Sequence, residues 1–511
     1  MTADLLGGTT MGAMLKSALS RYPDRIAFVD GERTVSYSAF AKMVAKAVAL
    51  FDSLGLTPGD TVAQLSGNRP EVYAVIAAVY MSNLRSMTLH AQGSEADHAF
   101  ILDDSEAALF VVDPAYSQRA QALRKQVSGV AHWFAHEKVE GLSSFWETAG
   151  NFDSLPLEPK GGPEDIIRLA YTGGTTGKPK GVLLSNRSLV TNTLLTLAGN
   201  TWPDEIRFLC PTPISHGAGS MILPTLWHGG TFILQRGFDA GALLEAFEYH
   251  KVTMTFLVPT MIYAILDHPK LKSVDCSSLH TLLYGAAPIL PARVREALKA
   301  FGPVLVQGYG QTEAPNTILT LSQADHLSGD DRLLASAGRP YPGIEVKLLD
   351  EELREVPRGE PGELCVRGPL IMSGYWKRPE ETAEAFRGDW LHTGDVALMD
   401  DNGFYFLVDR KKDMIISGGF NVYPGEVERV LAEHPAVAQA SVIGVADPKW
   451  GEAVTAVIVL RSGFDVSAEE LIGFVRAEKG PINTPKTIHF VSELPVTALG
   501  KPDKKALRAQ Y

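Results

Sequence analysis

Residues 171–181 read Tyr-Thr-Gly-Gly-Thr-Thr-Gly-Lys-Pro-Lys-Gly and follow the apolar run 166–170, which is typical of a strand. Glycines allow backbone N–H groups to converge on an anion, while the threonine hydroxyls, Lys178 and Lys180 add donors and positive charge. We therefore expect a loop that binds a polyphosphate, although a plain surface hairpin is a second interpretation. It is not a Walker A loop, because Pro179 stands where Ser or Thr is required and prevents a helix from starting there.

In the first part of the chain, segments with the apolar pattern of a strand alternate with segments that have the apolar spacing of a helix. Runs rich in β-branched and aromatic residues are separated by segments with apolar residues at helical spacing. This alternation favours an α/β fold with mostly parallel sheets whose faces are covered. The predicted strands are residues 26–29, 61–65, 107–112, 231–234, 254–258 and 281–284, and the predicted helices are residues 11–21, 37–54, 71–81, 240–250 and 290–301.

The pattern changes beyond Gly343 to short strands separated by turns. Asp-Asn-Gly at residues 401–403 is a strong turn signal. This part of the chain is predicted to form a small β-rich subdomain. Its predicted strands are residues 345–349, 362–367 and 404–407.

A further unit follows Lys411. Another strand, a helix over residues 424–434 and the apolar run 440–444 are sufficient for a compact α+β unit. We therefore predict a large N-terminal domain over residues 1–410, made of two α/β subdomains and the β-rich subdomain. A small α+β C-terminal domain over residues 411–511 is predicted to follow it.

Length and composition limit the functional classes. A chain of 511 residues is long enough for two or three cores, and its net charge of −12 argues against a general nucleic-acid binder. The three cysteines, Cys210, Cys276 and Cys365, lack metal or disulfide spacing, which suits a reducing compartment. The sequence has neither the pattern of a signal peptide nor a long apolar stretch. We expect a cytoplasmic protein without integral membrane association, as a monomer or a homodimer.

Three further segments extend the evidence from the glycine-rich loop. They read Gly-Tyr-Gly-Gln-Thr-Glu at residues 308–313, Trp-Leu-His-Thr-Gly-Asp at residues 390–395 and Leu-Pro-Val-Thr-Ala-Leu-Gly-Lys at residues 494–501. With the loop, they resemble in order the signatures of the adenylate-forming superfamily, which includes acyl-CoA synthetases, 4-coumarate–CoA ligases, firefly luciferase and nonribosomal peptide adenylation domains. The resemblance covers nearly the whole chain and implies a mobile C-terminal domain.

The resemblance implies a site for ATP and Mg²⁺. Glu313 matches the metal-binding residue, and a carboxylate beside a phosphate loop is a hard oxygen ligand suited to Mg²⁺. Asp395 matches the residue that accepts both ribose hydroxyls, as a single carboxylate can. The residues implied to bind ATP or AMP are Thr172, Gly173, Gly174, Thr175, Thr176, Gly177, Lys178, Lys180, Gly285, Ala286, Ala287, Gln307, Gly308, Tyr309, Gly310, Thr312, Asp395 and Arg410.

Lys501 matches the family's adenylation lysine. Attack of a carboxylate on the α-phosphate brings two anions together, and a cation at the junction stabilises the transition state. Lys504 and Lys505 are nearby in sequence, but the Gly-Lys pair at residues 500–501 favours Lys501. The residues predicted to act in catalysis are Lys501, His216, Thr172 and Glu313.

The resemblance also assigns residues to the second half-reaction. Lys412 matches the hinge residue, and Gly418 and Gly419 match a tunnel for the pantetheine arm of coenzyme A, where a side chain would narrow the passage. Residues 447–452, Asp-Pro-Lys-Trp-Gly-Glu, resemble a segment common in CoA ligases. The chain is therefore predicted to be an ATP-dependent carboxylic acid–CoA ligase that forms an acyl-AMP intermediate.

The acyl pocket is predicted from two segments, residues 216–221 and 308–316. Both are rich in Gly, Ala and apolar residues and carry neither Lys nor Arg, so a hydrophobic aryl, medium-chain or cyclic monocarboxylic acid is expected. His216 is predicted to shield or orient the acid. The residues predicted to line the pocket are His216, Gly217, Gly219, Tyr309 and Gly310.

Other functions stay open at this point. A stand-alone acyl-AMP ligase could deliver its product to a carrier protein, although the last signature ends close to Tyr511 and no carrier domain is expected after it. A luciferase-type oxygenation is a rarer outcome. A non-catalytic nucleotide sensor belongs to a different class, and Lys501 argues against it because a sensor has no need of an adenylation lysine.

Overall fold

The computed structural model describes residues 8–172, 179–496 and 502–511, apart from the side chain of Lys412. The chain divides into two compact units. The first unit comprises Met1–Glu345 and Arg367–Phe386, and the second comprises Val346–Val366 and Arg387–Tyr511. The predicted mixed α/β fold class is confirmed.

One sheet of the first unit is parallel at its centre and antiparallel at both edges. Central strands carry apolar side chains on both faces, and Phe208, Leu282 and Leu305 are fully buried, as expected when helices cover a parallel sheet. In spatial order the strands are Arg339–Pro340, Ala314–Leu321, Leu305–Gln311, Thr281–Gly285, Met254–Leu257, Arg207–Cys210, Thr231–Leu234, Ile26–Asp30 and Arg33–Ser36.

The other sheet of the first unit carries the strands that flank the glycine-rich loop. Ile166–Thr172 and Lys180–Ser185 pair antiparallel, and Gly374–Tyr375 pairs antiparallel with Lys180–Ser185. The strands on the far side of Ile166–Thr172 pair in parallel. The predicted strand before the loop is therefore confirmed, and the loop joins two neighbouring strands. The spatial order is Gly374–Tyr375, Lys180–Ser185, Ile166–Thr172, Arg85–Thr88, Thr61–Leu65, Ala107–Val112, His132–Ala135 and Ser143–Ser144.

Helices of the first unit begin at the residues that their capping chemistry predicts. Ser36 and Ser185 each accept a backbone N–H through their hydroxyls, and Pro70 stands in the first turn of a helix whose residues are all buried. An apolar surface on every side requires burial on every side. The α-helices are Met11–Arg21, Tyr37–Ser53, Pro70–Ser82, Glu95–Asp104, Ser117–Gln126, Phe145–Gly150, Asn186–Gly199, Ile222–Trp227, Ala240–Tyr249, Pro259–Leu266, Pro291–Phe301, Gln323–His326 and Pro379–Ala385.

The second unit contains the predicted β-rich part and the predicted α+β part. A β-sheet is formed in the order Glu345–Leu349, Gly362–Arg367, Trp390–Met399 and Phe386–Arg387, with Tyr405–Arg410 paired to Trp390–Met399. Another follows the order Phe420–Val422, Ile415–Ser417, Gly451–Leu460 and Val437–Asp447, with Thr487–Phe490 paired to Gly451–Leu460. The helices are Pro424–Glu433, Ala468–Asn483 and Lys504–Gln510.

The predicted boundary between residues 410 and 411 falls inside the second unit, where Tyr405–Arg410 is followed by the short 3-10 turn Lys411–Asp413. The boundary and the mobility of the C-terminal domain stay predictions. Within residues 8–172, 179–496 and 502–511, no helix is both long and apolar enough to cross a membrane.

Candidate active site

The ends of the glycine-rich loop lie side by side on adjacent strands. Thr172 and Lys180 are register partners, and the Thr172 hydroxyl lies 3.5 Å from the Lys180 carbonyl oxygen. The antiparallel pair therefore holds both ends of the loop in place. The predicted phosphate contacts of Gly173, Gly174, Thr175, Thr176, Gly177 and Lys178 fall outside the described residues and stay predictions.

Tyr375 connects the end of this loop to Glu313. Its hydroxyl donates a hydrogen bond of 2.9 Å to Glu313 Oε1, and the Lys180 ammonium lies 5.3 Å from the centre of its ring. Lys180 also forms an ion pair with Glu381. Burial, followed by the negative charge of Glu313, raises the pKa of Tyr375, so the phenol stays a donor. The structure thus brings Lys180 and Glu313 together through a residue that no local sequence pattern singled out.

The first unit offers a carboxylate suited to Mg²⁺. The backbone at Glu313 is fixed because the Met372 N–H donates to the Glu313 carbonyl at 2.7 Å, and Tyr375 holds one carboxylate oxygen. A carboxylate has two oxygens and can bind a hard cation while it accepts a hydrogen bond. The donor chemistry of Glu313 therefore fits a magnesium ion.

Several of the residues implied to bind ATP or AMP lie at the carboxyl ends of neighbouring parallel strands. Gly285 and Gly308 are register partners on these strands, and a Cβ atom on Gly285 would lie 2.2 Å from the Gly308 carbonyl oxygen. Ala286 follows with a left-handed φ of 67°. Ligands of open α/β sheets bind at this edge. Gln307, Tyr309 and Ala287 belong to the same strand ends.

Asn316 joins the two segments predicted to line the acyl pocket. Its side-chain amide donates to Ser220 Oγ at 2.9 Å, and its Oδ1 would lie 3.3 Å from a Cβ on Gly217. A Cβ on Gly310 would lie 2.4 Å from the Asn316 nitrogen, so only glycine fits there. The lining is more polar than the sequence predicted, because Asn316 and Ser220 place an amide and a hydroxyl among the glycines.

His216 lies in the first of these segments and contacts a second histidine. Its ring meets that of His90 edge to face at 4.8 Å, and its Nδ1 lies 2.8 Å from Ser215 Oγ. The Arg168 guanidinium donates to the Ser215 carbonyl at 2.9 Å. Burial, then the positive fields of His90 and Arg168, lowers the pKa of His216 to about 4. Gly219 completes the turn, where a Cβ would lie 2.0 Å from the Ile214 carbonyl oxygen.

A neutral His216 leads to a prediction about pH. Because its pKa lies near 4, its ring gains no proton between pH 8 and pH 5.5. A His216→Phe variant should therefore lower the adenylation rate by the same factor throughout this range. Pyrophosphate release at a series of pH values measures it. A titration step near pH 6.5 that is present in the wild type and lost in the variant would contradict the neutral assignment.

In the second unit, Asp395 and Arg410 face each other across two antiparallel strands. They are register partners, and Arg410 Nε lies 3.1 Å from Asp395 Oδ1. Asp395 is only 7% exposed, whereas about half of the Arg410 side chain is exposed. The arrangement presents a paired carboxylate and guanidinium on one sheet, which suits hydrogen bonds to a ribose diol.

Gly418 and Gly419 form the turn of a hairpin in the second unit. Both have positive φ angles, 60° and 81°, and the Gly418 N–H donates to the Trp450 carbonyl at 2.7 Å. A Cβ on Gly418 would lie 3.1 Å from the Trp450 ring, so a side chain there would crowd the ring and would strain the left-handed backbone. Lys501 lies outside the described residues, and only the backbone of Lys412 is described.

Lys504 and Lys505, the two lysines close to Lys501 in sequence, differ in their surroundings. Lys504 Nζ pairs with Glu428 Oε1 at 2.9 Å, and its side chain is 17% exposed. Although burial opposes it, the negative charges of Glu428 and Asp409 raise the pKa of Lys504. Lys505 is exposed in the first turn of Lys504–Gln510. Lys504 is therefore held in a structural ion pair.

Two family models match the chain. The model described as AMP-binding enzyme matches residues 15–376, and the model described as AMP-binding enzyme C-terminal domain matches residues 426–501. The two models together extend over both units.

Similar proteins cover nearly the whole chain. FadD8 of Mycobacterium tuberculosis, a medium/long-chain-fatty-acid–CoA ligase, is 44% identical over 98% of this chain and 90% of its own. Feruloyl-CoA synthase of an Amycolatopsis species is 38% identical over 96% of each chain. Among solved structures, the amide bond synthetase McbA from Marinactinospora thermotolerans has a TM-score of 0.90 at 34% identity, covering 98% of this chain and 99% of that chain.

Proposed function

The chain belongs to the AMP-binding enzyme family, and from this premise we propose how its own residues carry out two half-reactions. The protein is an AMP-forming carboxylic acid–CoA ligase that uses ATP, Mg²⁺ and CoA. The match of both family models on one chain, together with the 44% identity to a CoA ligase over 98% of its length, carries this conclusion.

In the first half-reaction, a carboxylate oxygen attacks the α-phosphorus of ATP and pyrophosphate leaves. We assign Thr172, Lys180 and the glycine-rich loop to the phosphates, and Glu313 to Mg²⁺, which supplies charge neutralisation between the phosphate oxygens. Lys501 is assigned to the junction of the two anions. The protein contributes alignment and electrostatic stabilisation rather than a covalent nucleophile.

The rest of the nucleotide is assigned to Asp395, Arg410 and the two strand ends described above. Asp395 accepts the ribose hydroxyls, and Arg410 reaches the ribose or a phosphate. The backbone of Gly285, Ala286 and Ala287 lies against adenine, and Thr312 meets the α-phosphate. Gln307, Gly308, Tyr309 and Gly310 complete the nucleotide site. The close approach of Gly285 to Gly308 supports this assignment because neither residue has a side chain between the two strand ends and the nucleotide.

In the second half-reaction, the CoA sulfur attacks the carbonyl carbon of the acyl-AMP. A C–S bond forms, the C–O bond to AMP breaks, and the thiol proton passes to solvent. We propose that the C-terminal domain turns about Lys412 between the two steps, which withdraws Lys501 and brings Gly418 and Gly419 to the pantetheine arm.

The acid is proposed to be a hydrophobic monocarboxylate of the aryl, medium-chain or cyclic class. Both segments predicted to line the pocket lack Lys and Arg, so a second carboxylate would be left without a partner. The two relatives described above act on a medium/long-chain fatty acid and, by its name, on a feruloyl group. Asn316 and Ser220 offer one polar contact within this lining.

A second candidate concerns the acceptor. The similarity to an amide bond synthetase at a TM-score of 0.90 favours an amine as an alternative to the CoA thiol. A carrier protein is a third acceptor for the same acyl-AMP. Adenylation is common to all of these reactions, and they differ only in the nucleophile of the second step.

Acid-dependent pyrophosphate release tests the proposal. Octanoate, decanoate, benzoate and ferulate, with glutamate and malonate as charged controls, would each be supplied with Mg-ATP and then with CoA or an amine. We expect pyrophosphate with a hydrophobic acid and a thioester by mass spectrometry. A preference for glutamate or malonate would contradict the acid class, and amide without thioester would replace CoA by an amine.

The contact between Tyr375 and Glu313 leads to a prediction about magnesium. Tyr375→Phe removes a hydrogen bond to a carboxylate, so the Mg²⁺ concentration for half-maximal adenylation should rise roughly tenfold. At saturating Mg²⁺ the rate should recover. Tyr249→Phe is a matched control because Tyr249 is 83% exposed. An unchanged Mg²⁺ requirement in Tyr375→Phe would show that Mg²⁺ binding by Glu313 does not depend on the hydrogen bond from Tyr375.

The cellular location is also a proposal. Cys210, Cys276 and Cys365 carry free thiols, and two of them are buried. Free cysteines are typical of a reducing compartment, which supports a cytoplasmic location.

A further inference from the structure

A buried polar cluster in the second unit is assigned no part in the two half-reactions proposed above. It consists of Glu363 and Cys365 on the strand Gly362–Arg367 and His392 on the strand Trp390–Met399. Their carboxylate, thiol and ring-nitrogen atoms all lie within 4.8 Å of one another. Glu363 is 8% exposed and Cys365 is fully buried. These are residue types that can bind a transition metal.

The surroundings of the cluster argue against a metal. Glu363 Oε2 already lies 3.4 Å from Lys411 Nζ and 3.6 Å from Arg387 Nη2, so two cations balance its charge. Burial raises the pKa of the Cys365 thiol to about 12, so without a metal the thiol keeps its proton. The cluster is therefore a hydrogen-bonded arrangement centred on the Glu363 carboxylate.

Glu363 holds the backbone immediately before Asp395. Its Oε1 accepts the Gly394 N–H at 3.2 Å, and its Oε2 lies 3.0 Å from His392 Nδ1. Gly394 has a φ of 70°, a conformation that favours glycine, so the chain turns at this residue. One buried side chain thus contacts the residue before Asp395 and the residue three before it.

Two more hydrogen bonds join the same stretches of chain. The Thr393 hydroxyl donates to the Leu364 carbonyl at 2.6 Å and accepts the Asp395 N–H at 3.1 Å. Residues 392, 393 and 394 are therefore each hydrogen-bonded to residue 363 or 364, and Asp395 is hydrogen-bonded to Thr393. Such contacts restrict the direction in which the Asp395 carboxylate points.

Glu363 also contacts the residue that follows the neighbouring strand Tyr405–Arg410. Lys411, which contacts Glu363, directly follows Arg410, whose Nε lies 3.1 Å from Asp395 Oδ1. Removing the Glu363 charge leaves the Lys411 ammonium and the Arg387 guanidinium without their shared anion. A substitution of Glu363 is therefore expected to alter the positions of both Asp395 and its partner Arg410.

We infer that Glu363 is a positioning residue that holds Asp395, through Gly394 and His392, in the orientation that binds the ribose hydroxyls of the nucleotide. The inference rests on the role proposed above for Asp395. It predicts that loss of Glu363 weakens recognition of the ribose hydroxyls while leaving recognition of the base and the phosphates nearly intact.

The test compares ATP with 2′,3′-dideoxy-ATP, which lacks both hydroxyls. Calorimetry would measure the dissociation constants of Mg-ATP and of Mg-2′,3′-dideoxy-ATP for the full-length wild type, for Glu363→Gln and for Asp395→Asn. Glu352→Gln is the matched control, because the Glu352 side chain is 66% exposed and pairs with Arg354. Thermal unfolding of each variant checks its fold. Lys411→Met is a milder second variant, because the Lys411 side chain is 38% exposed.

The wild type should prefer ATP by tenfold or more, since hydrogen bonds to a charged group are lost with the dideoxy analogue. Glu363→Gln should lower this preference about fivefold with the affinity for 2′,3′-dideoxy-ATP changed by less than about twofold. Lys411→Met should lower it less, and Glu352→Gln should keep it.

Two results would overturn the inference and are distinguishable. If Asp395→Asn loses the preference and Glu363→Gln and Lys411→Met keep it, Asp395 binds ribose without help from Glu363. If Asp395→Asn itself keeps the preference, the proposed ribose role of Asp395 fails, and the positioning role fails with it.

Discussion

A Lys501→Ala enzyme should lose acyl-AMP formation by on the order of 100- to 1000-fold while it still converts supplied acyl-AMP and CoA to thioester. The expected loss is large because Lys501 is proposed to lie between two anions in the adenylation step alone. Pyrophosphate release measures the first step, and thioester formation from synthetic acyl-AMP measures the second.

Lys505→Ala is the matched control for this prediction, since Lys505 is exposed and lies four residues further along the same tail. Lys504 is less suitable because its removal would leave the Glu428 carboxylate without its ion-pair partner. Full adenylation by Lys501→Ala would show that the proposed role of this lysine is wrong.

The second large effect is expected at Gly418. A Gly418→Leu side chain would start 3.1 Å from the Trp450 ring and would occupy the proposed path of the pantetheine arm. The thioester step should slow by on the order of 100-fold, because misplacing a reacting group by about 1 Å has an effect of this size. Pyrophosphate release from acid and ATP should stay within about threefold of the wild type.

Gly463→Leu controls for backbone strain in this comparison. Gly463 has a φ of 82° and nothing within 4 Å of an added Cβ, so its variant shares the left-handed strain without a steric contact. If Gly418→Leu formed thioester at the wild-type rate, the tunnel assignment would be incorrect.

Several elements could be predicted from the sequence because local patterns determine them. The strands Ala107–Val112 and Thr231–Leu234 and the helix Met11–Arg21 begin and end at the predicted residues. Sheet order could not be predicted, because it depends on contacts between distant segments. Ala314–Leu321 is an example, since it lies antiparallel between Leu305–Gln311 and the edge strand Arg339–Pro340 of a sheet whose centre is parallel.

The candidate site likewise contains residues that local sequence patterns could predict and residues that they could not. Gly308 and Asp395 could be singled out because each belongs to a short motif that resembles a family signature. Tyr375 could not, because its contact with Glu313 spans 62 residues and no motif surrounds it. Glu363 was missed for the same physical reason, because its contacts depend on which strands the fold places side by side. Asn316 belongs to a segment predicted to line the pocket, but its hydrogen bond to Ser220 could not be predicted.

Acid labelled with ¹⁸O in both carboxylate oxygens tests the central claim most directly. If the carboxylate attacks the α-phosphorus, the bridging oxygen stays with the phosphate when CoA displaces it. Mass spectrometry should then find one ¹⁸O in AMP and one in the thioester, with unlabelled pyrophosphate. Label in inorganic phosphate with ADP as the nucleotide product, or AMP without label, would contradict an acyl-AMP intermediate.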